Sequence, residues 1–483
     1  MNRLSSLLIA LAALLSVLAA GLRPDAFFVG DPGVKLIAAQ NAIDHPSRPF
    51  EITLPSIASI PVPHVEPFFS VHGDHAHAIT SALFPVLSAP FLAAFGVRGL
   101  YVLPALGFLL TVAGCAALAT ALDSRRRPVV VGLAAALGTP FLFYGLEFWE
   151  HTLALGCAAM GAALFLQRRA LLAGLLFGVA TMLRPEAGWF AAAFVAASRA
   201  LPDPPSFRSW LLAAIAAVVA LAPLQLYTIV HFGTLFPPHL NANAAQLGDG
   251  WAASRVALAG LWLGRSDASF WRVAPVVICA LASLGLAVER QGRRFLWLVA
   301  GATALLVFLS APNDGGGQWG PRYLLFVYIP LAVLAADAFE ALPKGVPAVA
   351  ATAVAVVAAL LIQRTGYRQL QGTKTTYGRI VDFVATTAPP DTYVVSDVWW
   401  LDQIAASVAS NRHFLYVPDE AEGAGAVKRL SNVNVPMIVV IRSASESSNT
   451  GNWIGDSCYH EMQRDKISLR DLVAIQLRHR CVY

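Results

Sequence analysis

Long apolar runs, cut by short breaks that carry arginine, constrain this chain more than any other feature. Leu100–Leu122 is the clearest of them. Crossing a bilayer takes about 17–25 consecutive apolar residues, and several runs approach or reach that length. A water-soluble protein would need a charged surface to cover so much apolar sequence. Only 13% of the residues are charged, against a hydrophobic fraction of 57% and a mean hydropathy of +0.61. About 25% charged is usual for a soluble domain. The chain therefore reads as a polytopic α-helical membrane protein.

The sidedness of the runs follows from their flanking charges. Lys and Arg collect in cytoplasmic loops, so the net charge of +5 implies no nucleic-acid partner. Arg3 begins the first run, Leu4–Leu22, which reads as an uncleaved span with a cytoplasmic N-terminus. The triplet Arg125-Arg126-Arg127 shares that side only if 79–96, with Pro85 and Pro90 inside it, lies on the outer surface and Leu100–Leu122 alone crosses. Continuing this parity gives about 11 transmembrane helices. The membrane part covers 1–363, with outer loops 23–98, 232–272 and 312–323. It places Asp31, Glu66, Asp74, Glu147, Glu150, Glu186 and Asp314 on the face opposite the arginine clusters.

The tail, 364–483, changes character. YGRIVDFVATTAP reads as an amphipathic helix, and TYVVSDVWW and VPMIVVIR read as strands. Alternating strand and helix predicts a small C-terminal α/β extracytoplasmic domain. Cys115, Cys157 and Cys279 sit in apolar runs as small buried side chains. Cys458 and Cys481 lie in the tail and are a candidate disulfide outside the cytoplasm.

Candidate chemistry gathers on the outer face. Asp31, followed by Pro32, suits a helix N-cap and equally a general base that takes a hydroxyl proton. Glu66, His72, Asp74, His75 and His77 form a dense polar stretch. His72, Asp74, His75 and His77 are possible metal ligands, although the spacing fits no defined zinc motif and a hydrated loop explains it as well. Glu147 and Glu150, three apart on a helix, would share one face and position an acceptor or a cation. Arg184-Pro185-Glu186 interrupts two apolar runs; it is either a self-contained ion pair or a phosphate site. In PNDGGGQWGPRYLL, 312–325, the glycines form a pliable loop or an anion-binding nest beside Arg322.

In order and sidedness these stretches resemble the GT-C superfamily of polytopic glycosyltransferases, most of all the bacterial relatives of protein O-mannosyltransferases and of the lipid A aminoarabinose transferase. The likeness is carried by GDPGVKLIAAQNAI, HAITSALFPVLSAPFLAAFGVRG, LRPEAG, LQLYTIVHFGTLFPPHLNAN and GGGQWGPRYLLFVYIPLAVLA. It implies a GT-C-like membrane domain in a bacterial inner membrane. It also implies an inverting glycosyltransferase that takes its sugar from a polyprenyl-phosphate donor, with no cofactor required and a divalent metal possible. Asp31 maps to the family's acidic base. Arg322 and Arg184 are the expected donor-phosphate ligands. Many members carry two acids where this chain has Asp31-Pro32, so Glu150, Glu66 or Asp74 would supply a second carboxylate. The rival reading is a transporter or flippase of a lipid-linked or anionic solute, which predicts acids buried midway along the spans.

Overall fold

The computed structural model describes residues 3–52, 68–72, 75–78, 80–233, 250–285, 292–312, 315, 318–342, 345–443, 451–454, 457–467 and 469–480. The chain divides into two compact units. The first is Met1–Leu22 with Leu100–Leu370, and the second is Arg23–Gly99 with Gln371–Tyr483. The segment after the first apolar run, grouped by sequence with the membrane part, thus makes its contacts within the unit that holds the C-terminal tail.

Among the described residues six helices are long and apolar enough to cross a membrane: Arg3–Ala20, Leu83–Leu122, Phe207–His231, Arg293–Ser310, Arg322–Glu340 and Val349–Thr387. Shorter apolar helices include Pro128–Leu137, His151–Leu166, Ala170–Leu183 and Val276–Gly285. Outward-facing side chains such as Val218 and Leu226 are both more than 60% exposed. A soluble protein would bury them; a lipid-facing helix presents them. In the first unit, Val102–Leu122 packs along His151–Leu166. A Cβ on Gly107 would stand only 2.4 Å from the Leu153 nitrogen, so small residues let the two backbones meet. The contact is also polar: Thr111 Oγ1 donates to Thr152 O at 3.0 Å and Thr152 Oγ1 to Pro104 O at 2.7 Å.

The arginine triplet does more than mark a side. Arg126 is buried and makes a two-pronged pair with Asp337, each contact 2.8 Å. Arg125 folds onto Asp123, and the Arg127 N–H donates to Glu340. These contacts fasten the end of the Tyr328–Glu340 helix to the start of Pro128–Leu137.

In the second unit, Gly30–Asp44 and Leu83–Phe95 pack together beside a hairpin of β1 (Phe69–His72) and β2 (His75–Ala78). A five-stranded sheet follows, with strands β3 (Tyr393–Ser396), β4 (His413–Tyr416), β5 (Met437–Ser443), β6 (Tyr459–Ile467) and β7 (Leu472–His479), in the order β4-β3-β5-β7-β6. β3 lies parallel to β4 and β5, and β7 runs antiparallel to β5 and β6. Period-2 alternation builds both faces. Val395, Ile438 and Val440 pack under Glu420–Asn432 together with Val427 and Leu430, while Val394, Val439 and Ile441 meet Ile380 and Val384. Those last two residues belong to one unbroken helix, Val346–Thr387, that joins the expected last span to the expected amphipathic helix. Arg23 ties the first segment to it by pairing with Asp25 and with Asp382. Lys374, fully buried, donates to Ala26 O at 2.9 Å.

Candidate functional site

Local sequence explains how Arg184 is aimed. Pro185 disfavours helical geometry in the residue before it. Arg184 is accordingly extended, at φ −146° and ψ 117°, and ends the Ala170–Leu183 helix, while Pro185 caps the next, Glu186–Ala197. The guanidinium grips Glu186 with contacts of 2.7 and 3.1 Å and reaches Glu150 at 3.3 Å. The expected ion pair therefore forms, with a second acid added.

Arg322 comes from the glycine-rich stretch. Gly315 has φ +91°, a left-handed conformation that glycine accepts without strain, and a Cβ there would crowd the Gln318 amide and the Arg322 stem. Gln318 Oε1 accepts the Arg322 N–H at 2.9 Å, which fixes the start of the Arg322–Val327 3-10 turn. Asn313, Asp314, Gly316 and Gly317 lie outside the described residues. Arg184 and Arg322 meet at one ring: their guanidinium carbons stand 5.7 and 5.4 Å from the centroid of Tyr323. The two expected phosphate ligands, 138 positions apart in sequence, are thus held together with Glu150 and Glu186 in the first unit.

The surrounding wall is aromatic, and the sequence reading had not singled it out. Tyr144 lies 5.3 Å from Trp149 and 4.8 Å from His151, and Phe143 stacks on Trp319 at 6.1 Å. The dense aromatic and acidic run FLFYGLEFWEH, 141–151, was the available signal. One expectation about it is corrected. Glu147 and Glu150 do not share a helical face, because the helix stops at Gly145 and resumes at His151. Both acids are buried on the turn between, where Glu150 serves Arg184.

Asp31 belongs to the second unit. It is not the N-cap. Val29, extended at φ −146°, takes that place, the helix starts at Gly30, and Asp31 sits in its first turn. Proline tolerates any first-turn position that lacks a helical donor, so Pro32 permits the earlier start. An acid there still faces the positive end of the helix. Asp31 is half-buried, and Lys35, one turn along, is buried. Gly30 and Gly33 press against Gln403.

Glu66 and Asp74 lie outside the described residues, as do the side chains of His72 and His75. His72 and His75 are paired across the hairpin, and the His77 ring Nδ1 lies 3.2 Å from Phe50 O. Among the described residues no three potential ligands gather around a metal position. Cys458 is disulfide-bonded; Cys481, its expected partner, lies outside the described residues. Cys115, Cys157 and Cys279 are free.

No family model and no curated protein matches this sequence. Solved structures do. ArnT from Cupriavidus metallidurans in the apo state aligns over 98% of this chain and 97% of its own, with a TM-score of 0.63 at 12% identity. The same protein bound to undecaprenyl phosphate aligns over the same shares, with a TM-score of 0.60 at 13% identity. An alignment that spans nearly the whole of both chains includes the membrane helices and the C-terminal sheet alike. The chain has the fold of ArnT, the GT-C fold that its sequence resemblance implies.

Proposed function

We propose that this protein moves a sugar from a polyprenyl-phosphate donor to an extracytoplasmic acceptor at the outer face of a bacterial inner membrane. The observation that carries this reading is the convergence of Arg184 and Arg322 on Tyr323. Two guanidinium forks beside an aromatic wall suit a phosphate monoester or diester, which Arg binds through paired N–H donors. Glu150 and Glu186 position the Arg184 guanidinium beside this ring. The ArnT structure with undecaprenyl phosphate supports the same ligand class for this fold.

The chemistry is a single displacement with inversion. The acceptor oxygen bonds to the anomeric carbon as the bond from that carbon to the phosphate oxygen breaks. Polyprenyl phosphate departs with the electron pair, and Arg184 and Arg322 stabilise its growing charge. Asp31 takes the acceptor proton. The displacement does not demand a metal. The topology that fits has about 11 spans, a cytoplasmic N-terminus and an outer C-terminal domain; the disulfide at Cys458 supports that side, since disulfides persist in oxidising compartments.

Asp31→Asn is the test. Transfer from a radiolabelled polyprenyl-phosphate sugar should fall to background while Tm and donor binding stay at wild-type values. Full transfer by the variant refutes Asp31 as the base.

A further inference from the structure

The second unit holds a cavity of about 730 Å³, within the range of small-molecule sites. Its walls are the C-terminal half of the Gly30–Asp44 helix, the end of Leu83–Phe95, and the segment 402–414. Leu36, Ile52, Leu92 and Phe414 give it an apolar floor. Gln40, Asp44, Asp402, Ser407, Arg412 and His413 supply its polar groups.

The hydrogen-bonding balance of these groups selects a ligand class. Gln40 Nε2 donates to both carboxylate oxygens of the exposed Asp44, at 3.2 and 3.3 Å, so this wall presents an amide–carboxylate pair with donors and acceptors for neighbouring hydroxyls; Asp402 is 8% exposed. Arg412 is largely committed within the protein: Nε donates to Ala388 O at 2.5 Å, Nη1 to Val408 O at 2.8 Å and Asn411 Oδ1 at 2.6 Å, and Nη2 reaches Ala385 O at 3.4 Å. The Gly30–Asp44 helix also turns its C-terminal, negative end toward this space. Two carboxylates and a helix C-terminus repel phosphate and accept hydrogen bonds from hydroxyls, while the apolar floor suits the C–H face of a sugar ring.

We infer that this cavity binds a neutral saccharide and, resting on the sugar-transfer reading above, that it seats the glycan part of the acceptor. The test uses the full chain in lipid nanodiscs. Saturation-transfer NMR is recorded with neutral hexasaccharides of glucose, mannose and N-acetylglucosamine, and phosphorus line broadening with inorganic phosphate. At least one hexasaccharide should show saturation transfer, reduced fivefold or more by Ala409→Trp, which fills the cavity, and by Asp44→Asn, an exposed site where folding is safe. Phosphate broadening should be unaffected by either variant. The inference is overturned by three results: no saccharide signal in the wild type, a signal unchanged in the folded variants, or phosphate binding that Ala409→Trp removes. Hydrolysis of the polyprenyl-phosphate sugar to water is followed in the same samples. Saccharide binding without donor turnover keeps the cavity assignment and defeats the transfer reading; donor turnover without cavity-dependent saccharide binding does the reverse.

Discussion

Gly33→Ala probes how closely the helix bearing Asp31 is held. A Cβ at Gly33 would stand 1.7 Å from the Gln403 carbonyl oxygen and 2.7 Å from its carbon. Both obstacles are backbone, so no side-chain rotation relieves them. Restoring ordinary contact requires about 1.7 Å of relative movement between the helix and the 401–404 turn. Overpacking typically costs about 1–3 kcal/mol, and a rigid obstacle puts this site near the upper end. At roughly 2–4 °C per kcal/mol for a unit of this size, Tm should fall by ~6–12 °C. Asp31 is two residues away, and an error of about 1 Å in placing a reacting group can cost ~100-fold in rate. Transfer should therefore drop more than stability alone explains at a temperature where the variant is folded. Gly372→Ala is the control: nothing lies within 4 Å of its added Cβ, and it sits on an exposed helical face. It should leave transfer intact and gain about 0.5–1 kcal/mol. Wild-type Tm and full transfer in Gly33→Ala would refute the reasoning.

Three other outcomes are expected. Arg184→Ala should weaken binding of a polyprenyl-phosphate donor by ~10–100-fold, the worth of a charged hydrogen bond, and Arg184→Lys should recover only part of it because the fork is lost; equilibrium binding of the labelled donor checks this. Asp337→Ala strands Arg126 in the interior and should cost about 3–5 kcal/mol, whereas the double change Arg126→Met with Asp337→Leu should recover most of it, as read from thermal unfolding in nanodiscs. The hydrogen bond from Arg125 holds the Asp123 carboxyl down to about 2, below its usual 3.8. Its contribution to stability is therefore present above the ordinary carboxyl pKa and lost as pH falls through about 2; acid unfolding of Asp123→Asn should lack that part of the pH dependence.

Much of this architecture is legible in the sequence because it depends on local periodicity. The apolar runs give the helices, and VVIR-type alternation gives β3 and β5 inside the sheet. Arg184-Pro185-Glu186 announces its own turn through the proline. What the sequence hid depends on distance along the chain. Nothing near Asp31 says that its helix packs on Gln403, because that contact joins residues some 370 positions apart. Asp337 sits in an otherwise apolar run, where hydropathy counting treats it as a span end and not as the partner of Arg126. The spacing of Glu147 and Glu150 suggested a helical face, but Leu146–Glu150 is a turn, and both acids are buried on it, with Glu150 meeting an arginine 34 positions away. The two-residue shift at Asp31 arose because Gly30 can itself open a helix and Val29 can cap it in extended form.

The most direct test of the account is donor turnover by the purified wild-type protein in nanodiscs, with a polyprenyl-phosphate sugar labelled in both sugar and phosphate. Release of labelled polyprenyl phosphate together with sugar transferred to an acceptor or to water, abolished by Arg322→Ala, is the predicted result. A donor that binds no more tightly to the wild type than to Arg184→Ala or Arg322→Ala, and stays intact, would contradict it.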